Sequence, residues 1–236
     1  MTTLRAPCAY LFDLDGTLVD TVGTRVDAWM DVFPSFGIEP EREVVAPLMG
    51  SDGKLVARNA ALSVGIVLPP GVDAEIDRVA GERFGELNQH PIALPGGLEL
   101  LDFLDEADMP WAIATSSRPE EAAASVASLG RRLQPMVVDG SDVEHAKPAP
   151  DLLLKAADRR GIDPEDAWYI GDARWDMLAA VAAGMVPLGV ATGATSEAEL
   201  REAGALATFA TLTELLEFAT ADALAPDRGT REIASD

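Results

Sequence analysis

The chain has 236 residues, of which 48% are hydrophobic and 25% are charged, and its formal net charge at pH 7 is -22. That length suits one domain, or a core domain with a smaller insert, and the apolar fraction excludes a disordered chain. A surface this negative repels nucleic-acid phosphates and anionic lipid headgroups, so we expect neither a nucleic-acid nor a membrane partner.

Cysteine content and the N-terminus bear on the compartment. Cys8 is the only cysteine, which excludes an internal disulfide and a cysteine-based metal cage. The N-terminus lacks the basic and apolar regions of a secretory signal, and no apolar stretch reaches the roughly 20 residues of a bilayer span. We therefore expect a cytoplasmic protein, with its oligomeric state left open.

Short apolar runs without polar alternation recur along the chain, and helical patterns separate them. Such runs are typical of strands buried on both faces of a parallel sheet. They cover residues 9–12, 111–114, 136–138, 168–170 and 186–190, with a weaker run at 207–209. Strands that alternate with helices predict an α/β fold with a doubly wound, parallel, Rossmann-like sheet.

One long segment departs from this alternation. Residues 19–94 show amphipathic helical patterns and no strand pattern, and Pro95-Gly96-Gly97 closes the segment. We predict a helical cap domain over residues 19–94, inserted into a core domain formed by residues 1–18 and 95–236.

Polar residues end three of the apolar runs. Asp13 and Asp15 follow the first, Thr115 follows the second, and Asp172 follows the run at 168–170, while Lys147 precedes a predicted helix. The carboxyl ends of parallel strands meet at one edge, so these side chains should converge. Crowded carboxylates repel one another unless a cation lies among them, and hard oxygen ligands suit Mg²⁺.

Four motifs in order then resemble the haloacid dehalogenase (HAD) superfamily. They are Phe12-Asp13-Leu14-Asp15-Gly16-Thr17-Leu18-Val19-Asp20, Ile113-Ala114-Thr115-Ser116-Ser117, Lys147-Pro148-Ala149-Pro150-Asp151 and Gly171-Asp172-Ala173-Arg174-Trp175-Asp176. A helical segment after the first motif is similar to subfamily I, which has a helical cap and includes phosphoglycolate phosphatases and β-phosphoglucomutases. Each motif alone is weak, whereas four in order at strand ends are specific.

The resemblance implies a set of catalytic roles. Asp13 would attack the phosphorus of a phosphate monoester and form an aspartyl-phosphate. Asp15 would act as acid and then as base. Thr115 and the Ser116 backbone N–H would bind the phosphoryl group, and the Lys147 ammonium would offset its charge.

The resemblance also implies a magnesium site. The ligands would be the carboxylates of Asp13 and Asp172 and the backbone carbonyl of Asp15. Asp176 would orient metal-bound water or Lys147 instead of binding the metal directly. In the cap segment, Lys54 and Arg25 are candidates for binding an anionic substrate.

The predicted function is Mg²⁺-dependent hydrolysis of a small phosphorylated metabolite, such as phosphoglycolate or a sugar phosphate. A β-phosphoglucomutase-like mutase is the main alternative, but Arg25 stands where those enzymes carry a histidine. A receiver-like signalling module also gathers acids, a hydroxyl and a lysine at a sheet edge. Such modules are shorter and have no acid at the place of Asp15. Dehalogenases and phosphonoacetaldehyde hydrolases usually lack that acid too.

Overall fold

The computed structural model describes residues 2–4, 6–131, 134–223 and 231–233. Within them the strands are β1 (Thr2–Leu4), β2 (Ala9–Phe12), β3 (Val19–Asp20), β4 (Ile92–Ala93), β5 (Trp111–Ala114), β6 (Val137–Val138), β7 (Ala167–Gly171), β8 (Val186–Val190), β9 (Ala207–Phe209) and β10 (Arg231–Ile233). The helices of four or more residues are α1 (Val22–Val32), α2 (Arg42–Val45), α3 (Gly53–Ser63), α4 (Val72–Leu87), α5 (Gly97–Glu106), α6 (Pro119–Ser128), α7 (Asp151–Arg160), α8 (Arg174–Ala183), α9 (Glu197–Glu202) and α10 (Leu212–Ala223).

Six strands form a central parallel sheet in the order β6-β5-β2-β7-β8-β9. Each apolar run identified in the sequence contributes one of these strands. Every residue of β2, β5 and β7 is buried, as expected when helices cover both faces of a sheet. The strand order reverses direction on either side of β2, which confirms the predicted doubly wound α/β fold.

Side chains of successive sheet residues point to opposite faces, and each face packs against its own helices. Tyr10 and Phe12 belong to a hydrophobic cluster with α5 and α10. Leu11 lies between them in sequence but packs in a second cluster, with α7 and α8. The two clusters hold β2 at the centre of the sheet, so its carboxyl end is fixed from both sides.

Helices α1 to α4 form a separate layer with a hydrophobic cluster of their own. Trp29 and Phe33 of this layer lie with ring centroids 5.4 Å apart, and Ile76 of α4 is buried in the same cluster. These helices lie within the predicted cap segment, while the boundaries at residues 19 and 94 stay a prediction.

Two short strands, which the sequence analysis missed, connect this helical layer to the sheet. β3 enters the layer and β4 leaves it, and they pair antiparallel with Val19 opposite Ala93. A strand of two residues is too short to give an alternating pattern. A further antiparallel pair joins β1 to β10.

No helix within the described ranges combines the length and the apolar character that a bilayer span requires.

Candidate active site

Three strands of the sheet bring the predicted site residues to one edge. Asp13 follows β2, and Thr115 and Asp172 follow its neighbours β5 and β7. All three side chains are buried, with Asp13 3% exposed. The convergence arises because β2 lies between β5 and β7, so the carboxyl ends of these strands are adjacent.

Lys147 reaches the same edge from the loop before α7. Its side chain is fully buried, and its Nζ lies 2.5 Å from Asp13 Oδ1 and 2.7 Å from Asp176 Oδ1. Burial alone would lower the pKa of the ammonium, but the two carboxylates outweigh burial and hold that pKa well above its ordinary value. Lys147 is therefore a permanent positive charge inside the site.

Three carboxylates crowd around this charge. Asp13, Asp172 and Asp176 each offer an oxygen, and these oxygens lie within 4.8 Å of one another. Burial raises the pKa of Asp13 to about 7, with Lys147 opposing the rise and Asp176 adding to it. Burial, followed by repulsion from Asp176 and Asp13, holds the pKa of Asp172 well above its ordinary value. One ammonium does not balance three buried acids, so the donor set fits a hard divalent cation.

The hydrogen bonds divide these acids into two kinds. Asp176 Oδ1 accepts from Lys147 and from the Tyr169 hydroxyl, and its Oδ2 accepts from the Ala173 backbone N–H at 2.9 Å. Both of its oxygens are thus engaged, which suits a residue that orients Lys147. Asp13 and Asp172 are the better candidates for metal ligands.

The main chain packs closely around Asp172. A Cβ at Gly193 would lie 1.8 Å from Asp172 Oδ2, and one at Gly16 would lie 2.5 Å from it. Gly16 also has a positive φ of 88°, which residues other than glycine rarely adopt. The Thr17 hydroxyl donates to Asp172 Oδ1 at 2.8 Å. The two glycines thus leave space for the Asp172 carboxylate, and the Thr17 hydroxyl orients it.

Asp15 lies in the same pocket, but its side chain is oriented differently from those of the three clustered acids. Its carboxylate accepts hydrogen bonds from Thr21 at 2.8 Å, from Arg25 at 2.9 Å and from Ser117 at 2.5 Å. The side chain is therefore held by protein donors away from the three clustered acids, and any metal contact would fall to its backbone.

The phosphoryl-binding candidates lie between the core and the helical layer. The Thr115 side chain is 1% exposed, and its hydroxyl oxygen accepts from the Ser117 N–H at 3.1 Å. The Ser116 hydroxyl donates to the Gly50 carbonyl at 3.4 Å. A backbone bond from Asp52 N to Lys147 O, at 2.9 Å, also joins the two layers here. The helical layer therefore closes directly over the strand ends.

The two candidates from the cap segment differ in their surroundings. Lys54 lines the pocket at the start of α3, and its side chain is exposed. Arg25 also lines the pocket, but its guanidinium pairs with Asp15 and Glu121 and lies over the Phe84 ring. Burial would lower the pKa of Arg25, and the two carboxylates raise it. Arg25 is thus already committed to protein partners.

Asp13, Asp15 and Thr115 line one cavity of about 290 Å³ between the sheet edge and helices α1, α3 and α4, together with Arg25 and Lys54. Sequence reasoning missed polar residues that support the site. Thr17 lies within the first motif and could have been found there. Glu121 lies at the start of a helix with no motif, and only the folded chain brings it to the pocket.

Comparison with known proteins agrees with this geometry. A family model described as haloacid dehalogenase-like hydrolase matches residues 10–190. Phosphoglycolate phosphatase 1 of Pseudomonas aeruginosa is 34% identical over 189 residues, which cover 77% of this chain and 68% of that protein. Hexitol phosphatase A of Escherichia coli is 33% identical over 175 residues, covering 74% and 79%.

A solved structure gives the same result. The crystal structure of a hydrolase from Pseudomonas syringae has a TM-score of 0.82 and 32% identity, and covers 92% of this chain and 99% of that one. The match extends across both the sheet and the helical layer. The resemblance inferred from the four motifs is confirmed, and the chain belongs to the haloacid dehalogenase-like hydrolase family.

Proposed function

We propose that this protein is a Mg²⁺-dependent phosphatase that hydrolyses a small phosphate monoester through an aspartyl-phosphate on Asp13. One observation carries the proposal: Asp13 lines the cavity, and its carboxylate lies 2.5 Å from the Lys147 ammonium and within 4.8 Å of an oxygen of Asp172. A carboxylate can attack a phosphate dianion only where positive charge offsets their repulsion. Lys147 supplies part of that charge.

In the first step, a carboxylate oxygen of Asp13 bonds to phosphorus as the bond from phosphorus to the ester oxygen breaks. Asp15 gives a proton to the departing alkoxide. Thr115 and the Ser116 backbone N–H hold the phosphoryl oxygens. In the second step, water transfers a proton to Asp15 and attacks phosphorus, which frees Asp13 and inorganic phosphate.

The metal would be held by the carboxylates of Asp13 and Asp172 and by the Asp15 carbonyl. When bound, Mg²⁺ supplies electrostatic stabilisation of the phosphoryl oxygens. Asp176 holds Lys147 in place through its 2.7 Å bond. The raised pKa values of Asp13 and Asp172 support this assignment, because burial and the neighbouring acids raise them and a bound cation would offset both effects.

For the substrate, we propose a small phosphorylated metabolite of the phosphoglycolate or sugar-phosphate type. Two relatives are named for phosphoglycolate and for hexitol phosphates. A cavity of about 290 Å³ suits a small molecule. The exposed Lys54 ammonium at the cavity wall and Ser116 are the proposed substrate contacts beyond the phosphoryl group.

Phosphate release from p-nitrophenyl phosphate, with Mg²⁺ or with EDTA, tests the chemistry. We expect release only with the metal, and a loss of at least about 1,000-fold in Asp13→Asn, since no nucleophile remains. An Asp15→Asn variant should accumulate protein carrying one added phosphoryl group, which intact-mass spectrometry detects. Equal activity in wild type and Asp13→Asn would refute the proposal.

A panel of phosphoglycolate, hexitol phosphates and sugar 1-phosphates then tests the substrate class. Conversion of a sugar phosphate to its isomer, without free phosphate, would instead favour the mutase.

A further inference from the structure

The Asp15 carboxylate is hydrogen-bonded at both oxygens. Oδ1 accepts from Thr21 at 2.8 Å and from Ser125 at 3.4 Å. Oδ2 accepts from Arg25 at 2.9 Å and from Ser117 at 2.5 Å. A carboxylate accepts about four hydrogen bonds, so these four donors fill its capacity and determine its orientation.

Arg25 differs from the other three donors in its charge and its anchoring. Its second guanidinium nitrogen lies 2.7 Å from Glu121, and its guanidinium carbon lies 3.5 Å from the Phe84 ring centroid. The Arg25 side chain is 15% exposed and that of Glu121 is 7% exposed. A charge-assisted bond from a planar, partly buried guanidinium fixes direction better than a bond from a rotatable hydroxyl does.

Glu121 is held in turn by a second arginine. Arg118 donates to Glu121 Oε1 at 2.7 Å, and its other nitrogen pairs with Asp77 of α4. Arg118 therefore shares Glu121 with Arg25, and its ion pairs are made with Glu121 and Asp77 and not with Asp15. This arrangement offers a matched pair of arginines, of which one contacts the acid/base residue.

We propose that Arg25, fixed by Glu121, is a positioning residue that orients Asp15 for proton transfer to the leaving group, instead of a residue that binds substrate. The inference rests on the proposed phosphatase function and assigns a role that the motifs do not contain. Arg25 extends from the cap segment to three core residues, Asp15, Ser117 and Glu121, so its position depends on how the two layers pack.

Leaving-group dependence separates this role from a merely structural one. Phenolate is a stronger base than p-nitrophenolate, so its departure depends more on a proton from Asp15. Phenyl phosphate and p-nitrophenyl phosphate have nearly the same shape. Their kcat/KM values report on the steps through the first bond cleavage, so water attack in the second step does not affect the comparison.

For Arg25→Met, we expect kcat/KM to fall about tenfold more with phenyl phosphate than with p-nitrophenyl phosphate, a part of what general acid catalysis supplies. Arg25→Lys should show a smaller difference, because it keeps the charge and loses the planar guanidinium. Arg118→Met should show a clearly smaller difference between the esters than Arg25→Met, because it loosens Glu121 but removes no bond to Asp15. In an Asp15→Asn background, Arg25→Met should add no further discrimination between the esters.

The inference would be overturned if Arg25→Met lowered kcat/KM equally for the two esters, or if it still discriminated between them in the Asp15→Asn background. Neither result would contradict the proposed phosphatase function. A wild-type protein that releases phosphate from neither ester would contradict both. If Arg25→Met does not fold, Glu121→Gln serves in its place. It keeps a hydrogen-bond acceptor for Arg25 but loses the charge, and should show a smaller difference in the same direction.

Discussion

Lys147 is the residue on which the charge balance of the site depends. Its ammonium lies between Asp13 and Asp176 and is fully buried. A buried ion pair gives little net stability compared with apolar packing, but removing one partner leaves the other charges uncompensated. The effect of losing Lys147 should therefore exceed that of losing an ordinary lysine.

We expect Lys147→Met to destabilise the metal-free protein by about 3 kcal/mol at pH 7 and to abolish phosphatase activity. Urea denaturation in EDTA measures the first effect. Lys155→Met is the control, since that side chain is 40% exposed and donates to a backbone carbonyl. It should cost less than about 1 kcal/mol. Equal costs for the two variants would contradict the central role of Lys147.

At the scale of elements, helix α4 packs against the start of α6 at Gly81. A Cβ on Gly81 would lie 2.2 Å from Glu121 Oε1 and 2.9 Å from an Arg118 nitrogen. The absent side chain thus makes room for a buried carboxylate. The same helix carries Gly85, where a Cβ would meet nothing within 4 Å.

Substitution of these two glycines by alanine should change the free energy of unfolding in opposite directions. Gly85→Ala should raise the free energy of unfolding by about 0.5–1 kcal/mol, because alanine is the better helix former. Gly81→Ala should lower it, because the new methyl group displaces Glu121 from its arginines. Thermal melting of both variants checks this, and a higher Tm in Gly81→Ala would show that Glu121 moves freely.

The sequence predicts the sheet and its edge well because these depend on local signals. Runs of buried residues mark the strands, and Asp13, Thr115 and Asp172 follow three of them directly. The network that orients Asp15 is different, because Arg25 and Glu121 are 96 residues apart. Their contact depends on how α1, α4 and α6 pack, and no periodicity encodes that. Likewise, β3 and β4 pair at Val19 and Ala93 because the chain enters and leaves the helical layer side by side there.

At the scale of the whole molecule, the buried acids make stability depend on pH. The pKa of Asp13 is raised from 3.8 to about 7, and that of Asp172 is raised as well. Acids whose pKa is raised by folding bind more protons in the folded state, so their stabilising contribution is lost as pH rises through the folded pKa. Acids with lowered pKa values, such as Asp142, have the opposite effect on stability, because their stabilising contribution grows as the pH rises. That growth is complete at a lower pH than the one at which Asp13 ionises.

In EDTA, the Tm should therefore fall as the pH rises from about 5 to about 7.5. Mg²⁺ should raise the Tm most at the upper end, where the acids are ionised and bind a cation without losing protons. Asp172→Asn should flatten the fall and weaken the Mg²⁺ effect. A Tm that rises steadily with pH in EDTA would contradict the raised pKa values.

The bond between Asp52 N and the Lys147 carbonyl has a consequence for how metabolites enter and leave. This bond joins the helical layer to the core through the main chain of Lys147, whereas the side chain of the same residue binds the carboxylate of Asp13. Opening of the helical layer would break this backbone bond together with the ion pairs that Arg25 and Arg118 form across the same interface. We therefore expect opening to free the Asp15 carboxylate from Arg25, while the pairs of Lys147 with Asp13 and Asp176, which lie within the core, stay intact.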